Sequence, residues 1–354
     1  MHKQDKGTAK IKRERRKQTV RCLVYFALIG LCCFCIWRME TGRDWSREET
    51  NPPRRVILTD SEPDGDGEQD GDIGPLLAPG DITLESLHSA YAILLDVETG
   101  QVLAQKNSEE RMYPASMTKL MAALVAVEHT EDWNATVEIP YEIFSRLYLE
   151  HASLAGFEPE EKVMPKELLY GMLLPSGAEC CTAYALWLAG DENTFVEWMN
   201  LKASELGMEN THFTNTTGLH DEEHYSTAED MATLLYQCIQ DETIRSVLLA
   251  QTYQTVATVK HPQGLTLEST LFQTIKESKA LTQKLKACQT KGVMLLGGKT
   301  GYTSQAGMCL ASFAGVGGRE YILITAGAEG NHYTEPFHIE DALTVYSQIA
   351  AIME

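Results

Sequence analysis

Ser116 and Lys119 stand three residues apart in Pro114-Ala115-Ser116-Met117-Thr118-Lys119, the only S-x-x-K in the chain. On a helix that spacing places hydroxyl and amine on one face. A buried lysine can shed its charge and act as base for the serine, which is the chemistry of an activated nucleophile. Two further sets of residues could join it. Lys299-Thr300-Gly301, the only K-T-G, offers a cation, a hydroxyl and a backbone that others can approach closely. Ser176, in Pro175-Ser176-Gly177, falls where a helical pattern breaks.

The elements that must hold these residues can be read from periodicity. Residues 89–105 read as two strands turning at Glu98-Thr99-Gly100. Residues 116–128 are apolar almost all round, which predicts a central buried helix with Ser116 at its N-terminus. Free amides and the helix dipole favour negative charge there. Pro165-Lys166 opens a helix through Leu174, and a second runs from Glu179 to Ala189 after the break at Ser176. Further helices are expected over 200–208, 227–239 and 338–352. The K-T-G lies between strand-like segments, with strands at 307–315 and 320–327 joined at Val316-Gly317-Gly318. Strands at both ends with helices between them predict an α/β (α+β) fold, one sheet assembled from both termini beside a helical lobe.

Composition narrows the partners. The formal net charge is −20 and 44% of residues are hydrophobic, enough for a globular core. The first sixty residues carry twice as many basic as acidic side chains, whereas the rest is strongly acidic. An acidic bulk argues against nucleic acid as partner. The basic start, residues 1–19, precedes an apolar segment at 20–38 that reads as a membrane anchor with its N-terminal side cytoplasmic. Cleavage as a signal peptide is the alternative, but Trp37-Arg38-Met39-Glu40 lacks a small-x-small site. Residues 39–82 read as a flexible acidic linker; the Asp/Gly run at 64–72 fits neither register of a calcium loop. Residues 83–354 form the expected catalytic domain. Five cysteines lie beyond the anchor (Cys180, Cys181, Cys238, Cys288 and Cys309), without zinc spacing, and are expected as buried free thiols. His220 and His224 beside Asp221, Glu222 and Glu223 are read as loop-shaping rather than metal-binding, with Ser226 or Thr227 capping the next helix.

S-x-x-K, then a lone serine between helices, then K-T-G resembles the penicillin-binding arrangement. Leu94-Leu95-Asp96-Val97-Glu98-Thr99-Gly100, Gly218-Leu219-His220 with His224-Tyr225-Ser226-Thr227-Ala228-Glu229-Asp230, and Gly301-Tyr302-Thr303 with Ala306-Gly307 extend the likeness. Together they resemble the serine D-alanyl-D-alanine carboxypeptidases, the low-molecular-mass penicillin-binding proteins. That resemblance implies a β-lactamase/transpeptidase-like fold with an antiparallel sheet flanked by helices. It implies a peptidoglycan stem peptide ending in D-Ala-D-Ala as substrate, β-lactams as covalent inhibitors, and no metal or cofactor. Ser116 would attack the carbonyl, Lys119 would take its proton, and Ser176 would relay a proton to the leaving amine. Lys299, Thr300 and Gly301 would receive the substrate carboxylate, and the amides of Ser116 and Tyr302 would form the oxyanion hole.

One position departs from the family pattern. Its middle motif usually reads Ser-x-Asn, and Ala178 stands where the asparagine would. Alanine cannot hold the substrate amide or the lysine, which gives weight to a weakly catalytic penicillin-binding wall sensor. A D,D-endopeptidase or transpeptidase would use the same residues. A class A β-lactamase would need a glutamate loop, and Glu209-Asn210-Thr211 is a poor match.

Overall fold

A computed structural model of the chain describes residues 76–331 and 333–353. The expected tail and anchor and most of the linker lie outside the described residues. Among the described residues, no helix is long and apolar enough to cross a membrane.

The architecture is an antiparallel sheet against a helical lobe. β1 (Tyr91–Asp96) and β2 (Val102–Lys106) form the expected hairpin. Asp96 sets its turn by accepting from the Thr99 amide at 2.8 Å. β7 (Met294–Thr303), β8 (Gly307–Val316) and β9 (Arg319–Ala328) complete the sheet in the order β2-β1-β9-β8-β7. Strands from the two ends therefore meet at β1 and β9, as the sequence predicts. Alternation then divides their side chains between two cores. Ile93, Leu95, Ile322 and Ile324 face the helical lobe, while Ala92, Leu94, Tyr321 and Leu323 face the C-terminal helix. Leu77 and Ile82, at the end of the expected linker, are buried in that second core.

The lobe is organised around α1 (Lys119–His129), buried through its first two turns. It packs against α3 (Pro165–Leu173), α4 (Ala178–Ala189), α5 (Glu192–Glu205), α6 (Ala228–Gln240) and α7 (Glu242–Leu249). Truncating one of its core leucines, Leu120, would cost about 2–5 kcal/mol. α2 (Glu142–Leu149) covers α4, and short hairpins β3–β4 (Val137–Glu138 with Lys162–Val163) and β5–β6 (Thr252–Gln254 with Thr266–Glu268) flank the lobe. α8 (Thr270–Glu277) lies against β7, α9 (Lys279–Thr290) against α8, and α10 (Phe337–Met353) against β8 and β9.

Three expectations shift, each for a local reason. Ser116 lies not in α1 but in a 3-10 turn, Ala115–Thr118, that leads into it. α5 begins well before Asn200, because Asp191 caps it by accepting from the Thr194 amide at 3.0 Å. The K-T-G is inside the edge strand β7 rather than between strands. Thr227 caps α6 as expected, accepting from the Asp230 amide at 3.0 Å. The five cysteines are free and buried.

Candidate active site

The 3-10 turn decides how the first pair meets. With three residues per turn, side chains at i and i+3 eclipse one another. Lys119 Nζ donates to Ser116 Oγ at 2.9 Å and to the Thr217 carbonyl at 2.7 Å. Ala115, just before the serine, holds a left-handed φ of +46°. For a non-glycine residue such a backbone is strained and persists only where surrounding structure enforces it. Part of the enforcement is Gly218, at φ +81°, where a Cβ would collide with the Ala115 carbonyl. Gly301 is equally constrained, since a Cβ there would lie 3.0 Å from the Ser116 amide nitrogen. Edge strand β7 can therefore run directly beside the serine.

The second pair comes from distant segments. Lys299 Nζ donates to Ser176 Oγ at 2.9 Å and to the Thr300 carbonyl at 2.7 Å. Ser176 sits between α3 and α4 with φ +67°, a second strained residue carrying a reactive-type hydroxyl. Between the pairs lies a cleft of about 980 Å³ whose walls include Ser116, Lys119, Ser176, Thr300, Gly301 and Tyr302. Lys299 itself is fully buried behind Ser176. Thr300 is oriented by Thr270, hydroxyl to hydroxyl, at 2.6 Å.

Burial governs the charges. It pulls Lys119 below the usual lysine range, with Cys181, Glu179 and Cys180 opposing it. Burial and then the charge of Lys119 hold Lys299 well below that range, with Cys181 opposing. Burial also pushes the Cys181 thiol up to about 12, so it stays protonated beside the lysines.

Glu179 does not stand in for the absent asparagine. Its carboxylate turns away and accepts from the amides of Ala155 at 2.7 Å and Gly156 at 3.0 Å. Fully buried, it is pushed up to about 7 by desolvation, against the pull of its backbone hydrogen bonds. Ala178 lines the cleft and offers only a methyl group. His224 is spent on structure: Nδ1 accepts from the Thr214 amide at 3.1 Å, so Nε2–H donates to Thr118 Oγ1 at 2.8 Å. Desolvation holds it neutral, down to about 3. Asn210 and Thr211 bond the Asp230 carboxylate, at 3.0 and 2.7 Å.

Thr217 and Thr270 escape sequence reasoning. One contributes a backbone carbonyl, which has no residue-type signature, and the other acts only through Thr300. The nearest signal was the glycine at 218, which marks a close backbone approach.

A serine and a buried lysine in one turn, facing a second lysine–serine pair across a cleft, have the chemical means for acyl transfer on a sheet-and-lobe fold. A family model described as D-alanyl-D-alanine carboxypeptidase, Peptidase_S11, matches residues 80–330, and the chain belongs to that family. D-alanyl-D-alanine carboxypeptidase DacF of Bacillus subtilis is 34% identical over 252 residues, covering 70% of this chain and 59% of the relative. DacA of Escherichia coli is 34% identical over 155 residues, 42% of this chain and 38% of the relative. The chain thus spans less than two thirds of the length of these relatives. The crystal structure of the Streptomyces K15 DD-transpeptidase shares 25% identity, with a TM-score of 0.63 over 75% of this chain and 99% of that one. A D-alanyl-D-alanine carboxypeptidase structure from Mycobacterium tuberculosis H37Rv, at 23% identity and TM-score 0.63, has the same fold.

Proposed function

We propose that this chain is a serine D-alanyl-D-alanine carboxypeptidase that removes the terminal D-alanine from peptidoglycan stem pentapeptides. The observation that carries the reading is the 2.9 Å contact between Ser116 Oγ and the amine of a buried lysine held below its usual range. An amine that is neutral at working pH can take the serine proton as Oγ bonds to the carbonyl carbon. The amides of Ser116 and Tyr302 would stabilise the oxyanion. Ser176, backed by Lys299, would pass a proton to the leaving nitrogen as the C–N bond breaks, freeing D-alanine. Thr300 and Gly301 would seat the terminal carboxylate in the field of Lys299. Water would then cleave the Ser116 ester. β-Lactams would acylate the same oxygen. The chain would work outside the cytoplasm, tethered by the anchor at 20–38 through the linker at 39–82, with 83–354 as its catalytic domain.

Ala178 favours a second reading, a penicillin-binding wall sensor that acylates and turns over slowly. An endopeptidase or transpeptidase acting through the same Ser116 is the remaining variant. The test is D-alanine release from a pentapeptide ending in D-Ala-D-Ala, alongside covalent labelling by a fluorescent penicillin. Turnover and label should both fall about 10⁴-fold or more in Ser116→Ala. Labelling without turnover supports the sensor. Turnover that survives Ser116→Ala removes the proposal.

A further inference from the structure

The amine of Lys119 sits at the end of a flexible side chain, and its second acceptor, the Thr217 carbonyl, fixes where it points. That carbonyl belongs to a loop between α5 and α6 rather than to a regular element. Its rigidity must come from side chains, and one residue supplies most of it. Asn215 Oδ1 accepts from the Thr217 amide at 3.1 Å, the Thr217 hydroxyl at 3.0 Å and the Gly218 amide at 2.8 Å. Its Nδ2 donates to the Leu219 carbonyl at 3.0 Å. The next residue ties the turn to the lobe: Thr216 Oγ1 donates to Glu192 Oε1 at 2.8 Å, and Glu192 pairs with Arg146 at 2.6 Å. Beyond it, Gly218 presses on the Ala115 carbonyl beside the nucleophile.

We propose that Asn215 is a positioning residue that holds the Lys119 amine on the Ser116 hydroxyl by fixing the Thr217 carbonyl. The inference rests on the acyl-transfer reading of Ser116 and Lys119. A carbonyl acceptor favours the ammonium over the neutral amine, so losing it should lower the lysine further and let the amine swing off the serine. Glu179, Cys180 and Cys181 from α4, Lys299 from β7 and His224 also interact electrostatically with Lys119, and none of them changes in the variants below.

The experiment measures penicillin acylation of the full chain against pH, with melting temperature as the control for folding. Asn215→Ala should slow acylation roughly 10- to 100-fold and move the acidic limb of the profile to lower pH. Asn215→Asp keeps the accepting oxygen and should recover most of the rate, its limb displaced to higher pH by the added negative charge. Wild-type kinetics in the alanine variant, or equal loss in both variants, overturns the inference. If Asn215→Ala does not fold, Thr217→Val decides: slower acylation at unchanged melting supports the clamp, and an unchanged rate overturns it. If the wild-type chain takes no label, the acylation reading itself fails. The clamp is then judged by NMR titration of isotope-labelled Lys119, where an unchanged titration in Asn215→Ala overturns it.

Discussion

The cleft holds two lysine–serine pairs, each with Nζ 2.9 Å from Oγ, built in opposite ways. Ser116 and Lys119 share one turn, so covalent connectivity does most of the work and the partners are adjacent before the rest of the chain folds. Ser176 and Lys299 are 123 residues apart, and meet only because the edge of the sheet comes against the break between α3 and α4. The environments diverge accordingly. Lys119 lines the cleft beside Ser116. Lys299 is fully enclosed and reaches the cleft only through Ser176. In the proposed function a local pair would thus supply the base, whereas a pair made by tertiary packing would supply a field and a relay. Both are held by strained backbone, at Ala115 and Ser176.

Five experiments would break or sharpen that contrast. Lys119→Arg imposes a permanent charge that cannot lose its proton, so acylation should fall roughly a thousandfold or more. Near-normal acylation by the arginine variant would end the case for a local base. Glu179 lies in the first turn of α4, just after Ser176, and the effect of its burial should appear in stability. The folded-state value near 7 lies above the ordinary 4.5, so between these pH values the folded chain keeps a proton that the unfolded chain has lost. Stability should therefore fall by about 3 kcal/mol as pH rises through that window. Glu179→Gln should flatten the slope in melting curves, and parallel curves for the two proteins would exclude the carboxyl as its source.

Ser176→Ala should slow turnover about 10- to 100-fold while leaving the pH at which Lys119 titrates nearly unchanged, because the relay is not the base. A matching displacement of the pH profile would show instead that the pairs act as one unit. Ser176→Gly should be more stable than Ser176→Ala by up to about 1 kcal/mol in denaturant titrations, since glycine accepts φ +67° freely. The smallest effect concerns Ala178. An asparagine there adds one amide to the cleft, so Ala178→Asn should raise kcat/KM for the pentapeptide about three- to tenfold. A decrease would mean that the cleft is adapted to the methyl group.

What could be read in advance divides along the same line. Hydrophobic alternation and capping residues revealed the β1–β2 hairpin, the strands β8 and β9, the buried α1 and the cap at Thr227, because each depends on neighbours within a few residues. The start of α5 is carried by the Asp191–Thr194 cap, which the apolar pattern over 200–208 does not reveal. α8 and α9 carry no comparable local signal, since their amphipathic stripes only acquire meaning against β7 and α10. The enclosure of Lys299, the turn of Glu179 toward the 155–156 amides and the Thr217 carbonyl on Lys119 were invisible, because none has a local sequence signature.

The sequence by itself determined which groups could react and that one serine and one lysine would share a turn, since i and i+3 spacing is a property of the chain. Only the tertiary structure decided which lysine faces the cleft and which is sealed behind a hydroxyl. Burial sets the cost of carrying charge, and burial exists only once the sheet and the lobe have closed on each other.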